Sequence, residues 1–179
     1  MIDNLVICAG VIAAATTALW ILSLMIEDVS IVDIFWGPAF AVVGWTCFAV
    51  RDSELTITAL LSLTMVSAWG LRLGGYLAWR NLGKGEDFRY QKMREKTGPS
   101  FRFKALFTVF YFQGALVLLV SLPVQVALGG DREAPLALLA AGVAIWAIGF
   151  LFEAIGDAQL ARFKADPDNK GKVMDRGLW

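Results

Sequence analysis

Residues Trp146–Trp179, WAIGFLFEAIGDAQLARFKADPDNKGKVMDRGLW, run from an apolar helix straight into two carboxylates, a basic cluster and a glycine-bearing turn. Glu153 and Asp157 stand four residues apart, so on a helix they share one face. That face lies where the helix leaves the lipid. A carboxylate there is costly unless it is paired or wet, so its default reading is a functional site.

Working outward, the rest of the chain has the same texture. It is 58% apolar with a mean hydropathy of +0.62, above the usual composition of a soluble domain. The apolar residues come in blocks. Leu5–Ile26 carries no charge over 22 residues, about 33 Å of helix against a hydrocarbon core of roughly 30 Å. Ile31–Val50 carries only Asp33, Leu55–Trp79 only Arg72, and Ala105–Leu128 and Ala134–Phe152 carry none. The expectation is an all-α, polytopic transmembrane bundle of five helices, with residues 1–179 forming a single membrane domain. Open β-structure is excluded, because lipid offers an unpaired strand edge no partners. The opening MIDN has an acid and no lysine or arginine, so the first block reads as a retained helix and not a secretory leader.

Formal net charge is zero, but eight of the 16 Lys and Arg fall between Arg80 and Lys104 and five between Arg162 and Arg176. Both segments follow odd-numbered spans. The positive-inside rule then places the N-terminus outside and the C-terminus in the cytoplasm. Cys8 and Cys47 match no metal spacing and read as small apolar packing residues. The chain contains no histidine, which removes histidine-based zinc sites, Ser-His-Asp triads and histidine proton relays.

Between the third and fourth blocks, NLGKGED predicts a turn, Glu86–Lys96 a short helix in the membrane interface, and Gly98-Pro99 a break. The segment suits either a topology-fixing loop that touches anionic lipid or a lid over a phosphate-bearing ligand. Asp33, in SIVDIFWG, reads either as half of a capping box with Ser30 or as a carboxylate facing a cavity. Arg72, Tyr76 and Arg80 recur every four residues and make one polar face, and Gly70 and Gly74 form a GxxxG pattern that lets a neighbouring helix approach. Pro123 predicts a kink near the end of the fourth block. Gln113 and Gln125 are expected to hydrogen-bond neighbouring helices. Glu153, Asp157 and Lys164 lie close to one helical stripe, with Arg162, Lys170, Lys172 and Arg176 gathered beyond it. Such a set suits a nucleotide, cations holding phosphates and carboxylates accepting from ribose or amide groups, or else helix-end salt bridging. DPDNKG is a turn without the last glutamate of a calcium loop, so no metal is inferred, and no glycine-rich Rossmann or P-loop motif is present.

SIVDIFWG, WGLRLGGYLAWRNLGKGEDFRYQKMR, Gln113 with SLPVQ, and FEAIGDAQLARFKADPDNKGKVMDRGLW together resemble a family of bacterial membrane proteins of unassigned function. That family is similar to the C-terminal domain of steroid 5α-reductases and, more distantly, to sterol reductases and isoprenylcysteine methyltransferases. The resemblance implies a bundle of about seven helices, in the bacterial inner membrane, with NADPH at its cytoplasmic end. It matches Asp157, Lys164 and Lys172 to cofactor-contacting positions, Glu153 to a neighbouring polar contact, and Asp33 to a carboxylate near the substrate carbonyl. Candidate catalytic residues are therefore Asp33 and Tyr76. Candidate cofactor contacts are Arg72, Arg80, Glu153, Asp157, Lys164, Lys172 and Arg176. The reductases' catalytic tyrosine has no counterpart, since Trp69 occupies its position.

In relatives the Gly177–Trp179 element is followed by an RHPNY-like segment and two further helices. The expectation is that this chain is the N-terminal two-thirds of a longer domain, with an incomplete cofactor site. The expected function is NADPH-dependent reduction of a C=C bond in a lipophilic substrate, taken from membrane lipid, with no nucleic acid involved. The rival expectations are a methyltransferase using S-adenosylmethionine and a non-catalytic membrane remnant.

Overall fold

The computed structural model describes residues 2–52 and 54–179, and every residue placed in an element is helical. The helices are α1 (Ile2–Ile26), α2 (Ile31–Ala49), α3 (Ile57–Asn81), α4 (Phe88–Thr97), α5 (Phe101–Ala105), α6 (Phe112–Val120), α7 (Leu122–Gly129) and α8 (Leu136–Ala165). Five stretches are long and apolar enough to cross a membrane: Asp3–Ile26, Ile31–Ala49, Ile57–Asn81, Phe88–Val120 and Leu136–Ala165. The protein is thus all-α with five candidate spans. The chain divides into two compact units, Met1–Glu133 and Ala134–Trp179.

In the first unit, α2 and α3 are held together by what their side chains lack. A Cβ on Gly37 would stand 2.5 Å from the Gly70 carbonyl oxygen, and one on Gly74 would stand 2.5 Å from Cγ of Pro38. The GxxxG pattern thus does what its spacing predicts: it lets α2 lie against α3 backbone to backbone. Around this seam Cys8, Ile12, Phe40, Val43, Cys47, Leu63 and Leu128 form one buried core. The two cysteine Sγ atoms are 3.3 Å apart and fully buried, as free thiols packed between α1 and α2. Edge-on aromatic contacts run from Trp69 to Phe40 and from Phe40 to Trp36, each with centroids 5.4 Å apart.

A second core gathers Val29, Val32, Tyr90, Phe101, Ala105, Val109 and Phe110. The span that supplies most of it departs from the expected Ala105–Leu128 at both ends. Helical structure starts upstream at Phe88, is interrupted at Gly98–Ser100, and then passes through a π-helical turn at Leu106–Tyr111. Across that turn two adjacent residues are buried, Val109 and Phe110, four and five positions after Ala105, and from Phe110 the next step, to Gly114, is four again. At the far end Pro123 lacks the N–H that would bond the carbonyl four residues back, and the helix breaks at Ser121. Gln125 donates from Nε2 to the Leu118 carbonyl (3.1 Å) and to Ser121 Oγ (2.9 Å). Its partners are therefore its own broken helix and not, as expected, a neighbouring one.

The capping box at Ser30 does not form. Ser30 has helical φ and ψ and makes no side-chain cap hydrogen bond; its hydroxyl donates to Asp28 Oδ1 and accepts from the Asp87 backbone N–H at 2.8 Å. The α3 N-terminus is capped twice over. Thr56 accepts from Ala59 N–H at 3.1 Å, and the Glu133 carboxylate accepts from Ile57 N–H (2.8 Å), Thr58 N–H (3.0 Å) and Thr58 Oγ1 (2.8 Å). A carboxylate on orphan N–H groups at the positive end of a helix is favourable on both counts. The Thr58 hydroxyl, with the two amides, holds the Glu133 carboxyl below the usual carboxylate range.

The second unit is α8, a turn at Pro167–Asn169, and a tail. Pro135 precedes the helix, which runs without a break through Glu153, Asp157, Arg162 and Lys164. The tail returns along α8: Leu178 N–H donates to Gln159 Oε1 (2.9 Å) and Trp179 Nε1 to the Gly156 carbonyl (2.8 Å). Gly177, at φ +71, allows that return.

Candidate active site

The first unit contains a polar constellation that the sequence only half announces. Asp33 lies in the first turn of α2, and its carboxylate is gripped by the start of α4. Arg89 Nη2 donates to Asp33 Oδ2 at 2.7 Å, and the Tyr90 hydroxyl donates to Asp33 Oδ1 at 2.7 Å. Gln113 Nε2 reaches the Tyr90 oxygen at 3.3 Å and Asp33 Oδ1 at 3.4 Å. With Gln113 donating to it, the phenol oxygen directs its one proton at Asp33. Asp33 is therefore a carboxylate facing a cavity and not a capping residue.

Local structure explains how α4 presents these groups. Gly83 and Gly85, at φ +80 and +79, turn the chain after α3. Asp87 then caps α4, accepting from Arg89 N–H at 2.9 Å and from Arg89 Nε at 2.9 Å. That second bond holds the guanidinium against Asp33 and keeps the Asp87 carboxyl below its ordinary range. Behind it Arg94 binds Glu86 in a fork, Nη2 to Oε1 at 2.7 Å and Nε to Oε2 at 3.0 Å. Glu86 Oε1 also accepts from Val29 N–H at 3.0 Å, and its side chain is 8% exposed. The short helix expected over Glu86–Lys96 forms at Phe88–Thr97, and the segment folds as a cap with two of its arginines, Arg89 and Arg94, paired to carboxylates.

Asp33, Tyr90, Gln113 and Arg80 form the polar end of a cleft of about 480 Å³ whose walls include Trp36, Leu77, Phe112 and Leu116. Volume and lining suit a small apolar molecule carrying one polar group. Arg80 stands over the ring of Tyr76, 5.6 Å from its centroid, and Tyr76 packs against Trp79. Of the residues expected to act, Asp33 and Arg80 thus meet in one cleft. Tyr90 is the tyrosine hydrogen-bonded to Asp33. Arg72 lies on α3, two turns before Arg80.

In the second unit Lys164 and Lys172 line a cavity of about 450 Å³ together with Lys170, Asn169 and Met174. Asn169 Nδ2 donates to the Phe163 carbonyl at 3.1 Å and fixes the turn against the helix end. Three ammonium groups around one cavity are a donor set that fits phosphate oxygens. Glu153 and Asp157 lie one turn apart on α8, and Arg176 is exposed beside Asp175, 3.9 Å away.

Two residues that hold Asp33 were not anticipated, Tyr90 within the cleft and Arg89 beside it. Their one signal in sequence is a carboxylate at Asp33 that needs a partner and a basic helix that carries a tyrosine.

Five candidate spans mark a multi-pass membrane protein, and the polar-ended cleft is its candidate site. Residues 19–179 match the family described as "Protein of unknown function (DUF1295)", and the chain belongs to that family. No curated protein and no solved structure matches it.

Proposed function

We propose that the protein is a membrane reductase of the C=C bond in a lipophilic, carbonyl-conjugated substrate, with NADPH as its cofactor. The observation that carries this is the Tyr90–Asp33–Gln113 arrangement at the polar end of an apolar cleft. NADPH, when bound, supplies the hydride that the β-carbon of such a bond accepts. Tyr90 turns its O–H from Asp33 to the substrate carbonyl oxygen and passes its proton there. The enol so formed tautomerises to the saturated carbonyl compound. Gln113 continues to donate to the Tyr90 oxygen and offsets the charge that grows on it. Asp33, fixed by Arg89, orients Tyr90, and a proton from solvent passes by way of Asp33 to the Tyr90 oxygen and restores the phenol. Apolar walls exclude water from the reacting bond.

On the cofactor side, Lys164, Lys170 and Lys172 hold phosphate, supported by their shared cavity. In the same unit Arg176 adds a cation, and Glu153 and Asp157 accept from ribose and amide groups. The clustering of basic residues after the third and fifth spans supports an outside N-terminus and a cytoplasmic C-terminus.

The test uses the purified chain in micelles. NADPH is expected to raise its thermal midpoint, and an apolar enone to be reduced with loss of NADPH absorbance. Tyr90→Phe should cut that rate about a hundredfold or more while NADPH protection persists. Protection by S-adenosylmethionine alone would convert the assignment to methyl transfer. Protection by neither would overturn the nucleotide assignment for this chain.

A further inference from the structure

A second cavity of the first unit, about 590 Å³, has no part in the proposed chemistry. It lies where α1 ends, between the last residues of that span and the joint of α4 with α5, and its lining includes Glu27, Arg94, Glu95 and Arg102. The candidate span stops at Ile26 and Glu27 is the next residue, so the cavity sits at headgroup depth. Trp20, one belt residue of α1, donates from Nε1 to the Arg102 carbonyl at 2.7 Å and anchors that wall. Above it Leu24 lines the cavity and Ile21 is exposed on the same side of α1, a surface made for acyl chains.

The charges decide which headgroup fits. The Arg94 guanidinium spends Nε and Nη2 on Glu86, and Nη1 makes no hydrogen bond to the described residues. Arg102 lies over the Phe103 ring at 5.1 Å. These two guanidiniums are donors for a phosphate. The Glu27 and Glu95 carboxylates also make no hydrogen bond to the described residues, and they are acceptors for a cation. A purely anionic headgroup would satisfy the arginines but bring its charge against the Glu27 and Glu95 carboxylates. A headgroup with both a phosphate and a primary ammonium satisfies all four. We propose that this cavity binds an aminophospholipid, its phosphate on Arg94 and Arg102 and its ammonium on Glu27 and Glu95. The site is independent of the reductase assignment.

Native mass spectrometry of the full chain, released from micelles holding equimolar phosphatidylethanolamine and phosphatidylglycerol, tests this. Wild type is expected to retain phosphatidylethanolamine in preference. The Glu27→Gln, Glu95→Gln double variant should reduce that preference about fivefold, the range of exposed charge pairs. Arg102→Gln should weaken retention of both lipids. Equal or greater retention of phosphatidylglycerol by wild type overturns the proposal, as does a preference that survives the double variant, or release of lipid by inorganic phosphate. Glu27, Glu95 and Arg102, the three residues changed, are exposed, so melting curves in detergent alone are expected to be unchanged; were a variant to unfold, the wild-type competition would still decide.

Discussion

Along the α2–α3 seam, Gly37, Gly70 and Gly74 let two backbones touch, and the surrounding core is apolar and small. At the start of α4 the opposite solution holds. Asp33, Glu86 and Asp87 are tied to Arg89 and Arg94, and the aromatic core of Tyr90, Phe101 and Phe110 packs behind them. The first arrangement depends on absent atoms and tolerates no additions. The second depends on paired charges and tolerates no single deletions. The difference suits the seam to stability and makes the α4 cap, which brings Tyr90 to Asp33, Arg80 and Gln113 in one cleft, the candidate for function.

The largest effect is expected at the seam. Gly70→Val drives a side chain into the Gly37 carbonyl, a backbone neighbour that cannot yield, and should leave no cooperatively folding protein by tryptophan fluorescence. Gly75→Ala, where no atom lies within 4 Å, should be neutral or stabilising. Similar behaviour of the two would break the comparison.

Next comes the cap. Arg94→Met strands the Glu86 carboxylate, which is 8% exposed, and is expected to cost about 3 kcal/mol in denaturant unfolding. Adding Glu86→Gln to that variant should recover part of the loss, and a purely additive double mutant would show that the pair is not coupled. Tyr90→Phe is milder. It removes two hydrogen bonds, one to Asp33 and one from Gln113, and should lower stability by about 2 kcal/mol or less while cutting the proposed reduction about a hundredfold or more.

The smallest effect concerns pH. Asp87 is held below the ordinary carboxylate range by Arg89, and Glu133 by the Thr58 hydroxyl. Their contribution is complete above that range and is lost only as pH falls through their lowered values. Thermal midpoints should therefore stay flat from neutrality down to mild acid and decline below it. Glu133→Gln should remove part of that acid decline.

Sequence made the spans legible because lipid imposes a length and forbids charge. Four of the five apolar blocks start within three residues of a helix. The seam was legible because GxxxG has a mechanical reading. The α4 cap was not. Arg89 and Arg94 are indistinguishable, in sequence, from lysines and arginines that merely fix topology, and their partners are up to 56 residues away. Gln113 was expected to bond to neighbouring helices and does so, yet its place beside Tyr90 comes from the π-helical turn just before it. The break at Ser121 followed from Pro123, but Gln125's use in repairing it did not.

That π-helical turn also bears on how chains of this kind tolerate change in length. A turn that accommodates one residue more than an α-helix needs is a slack point. Removing one residue between Leu106 and Tyr111 would close the turn to ordinary pitch and leave Phe101 and Gly114 facing as they do. The same removal between Gly70 and Gly74 in α3 would swing Gly74 off Pro38. Indels in the fourth span are thus expected to be permitted at that one turn, and nowhere along the glycine seam.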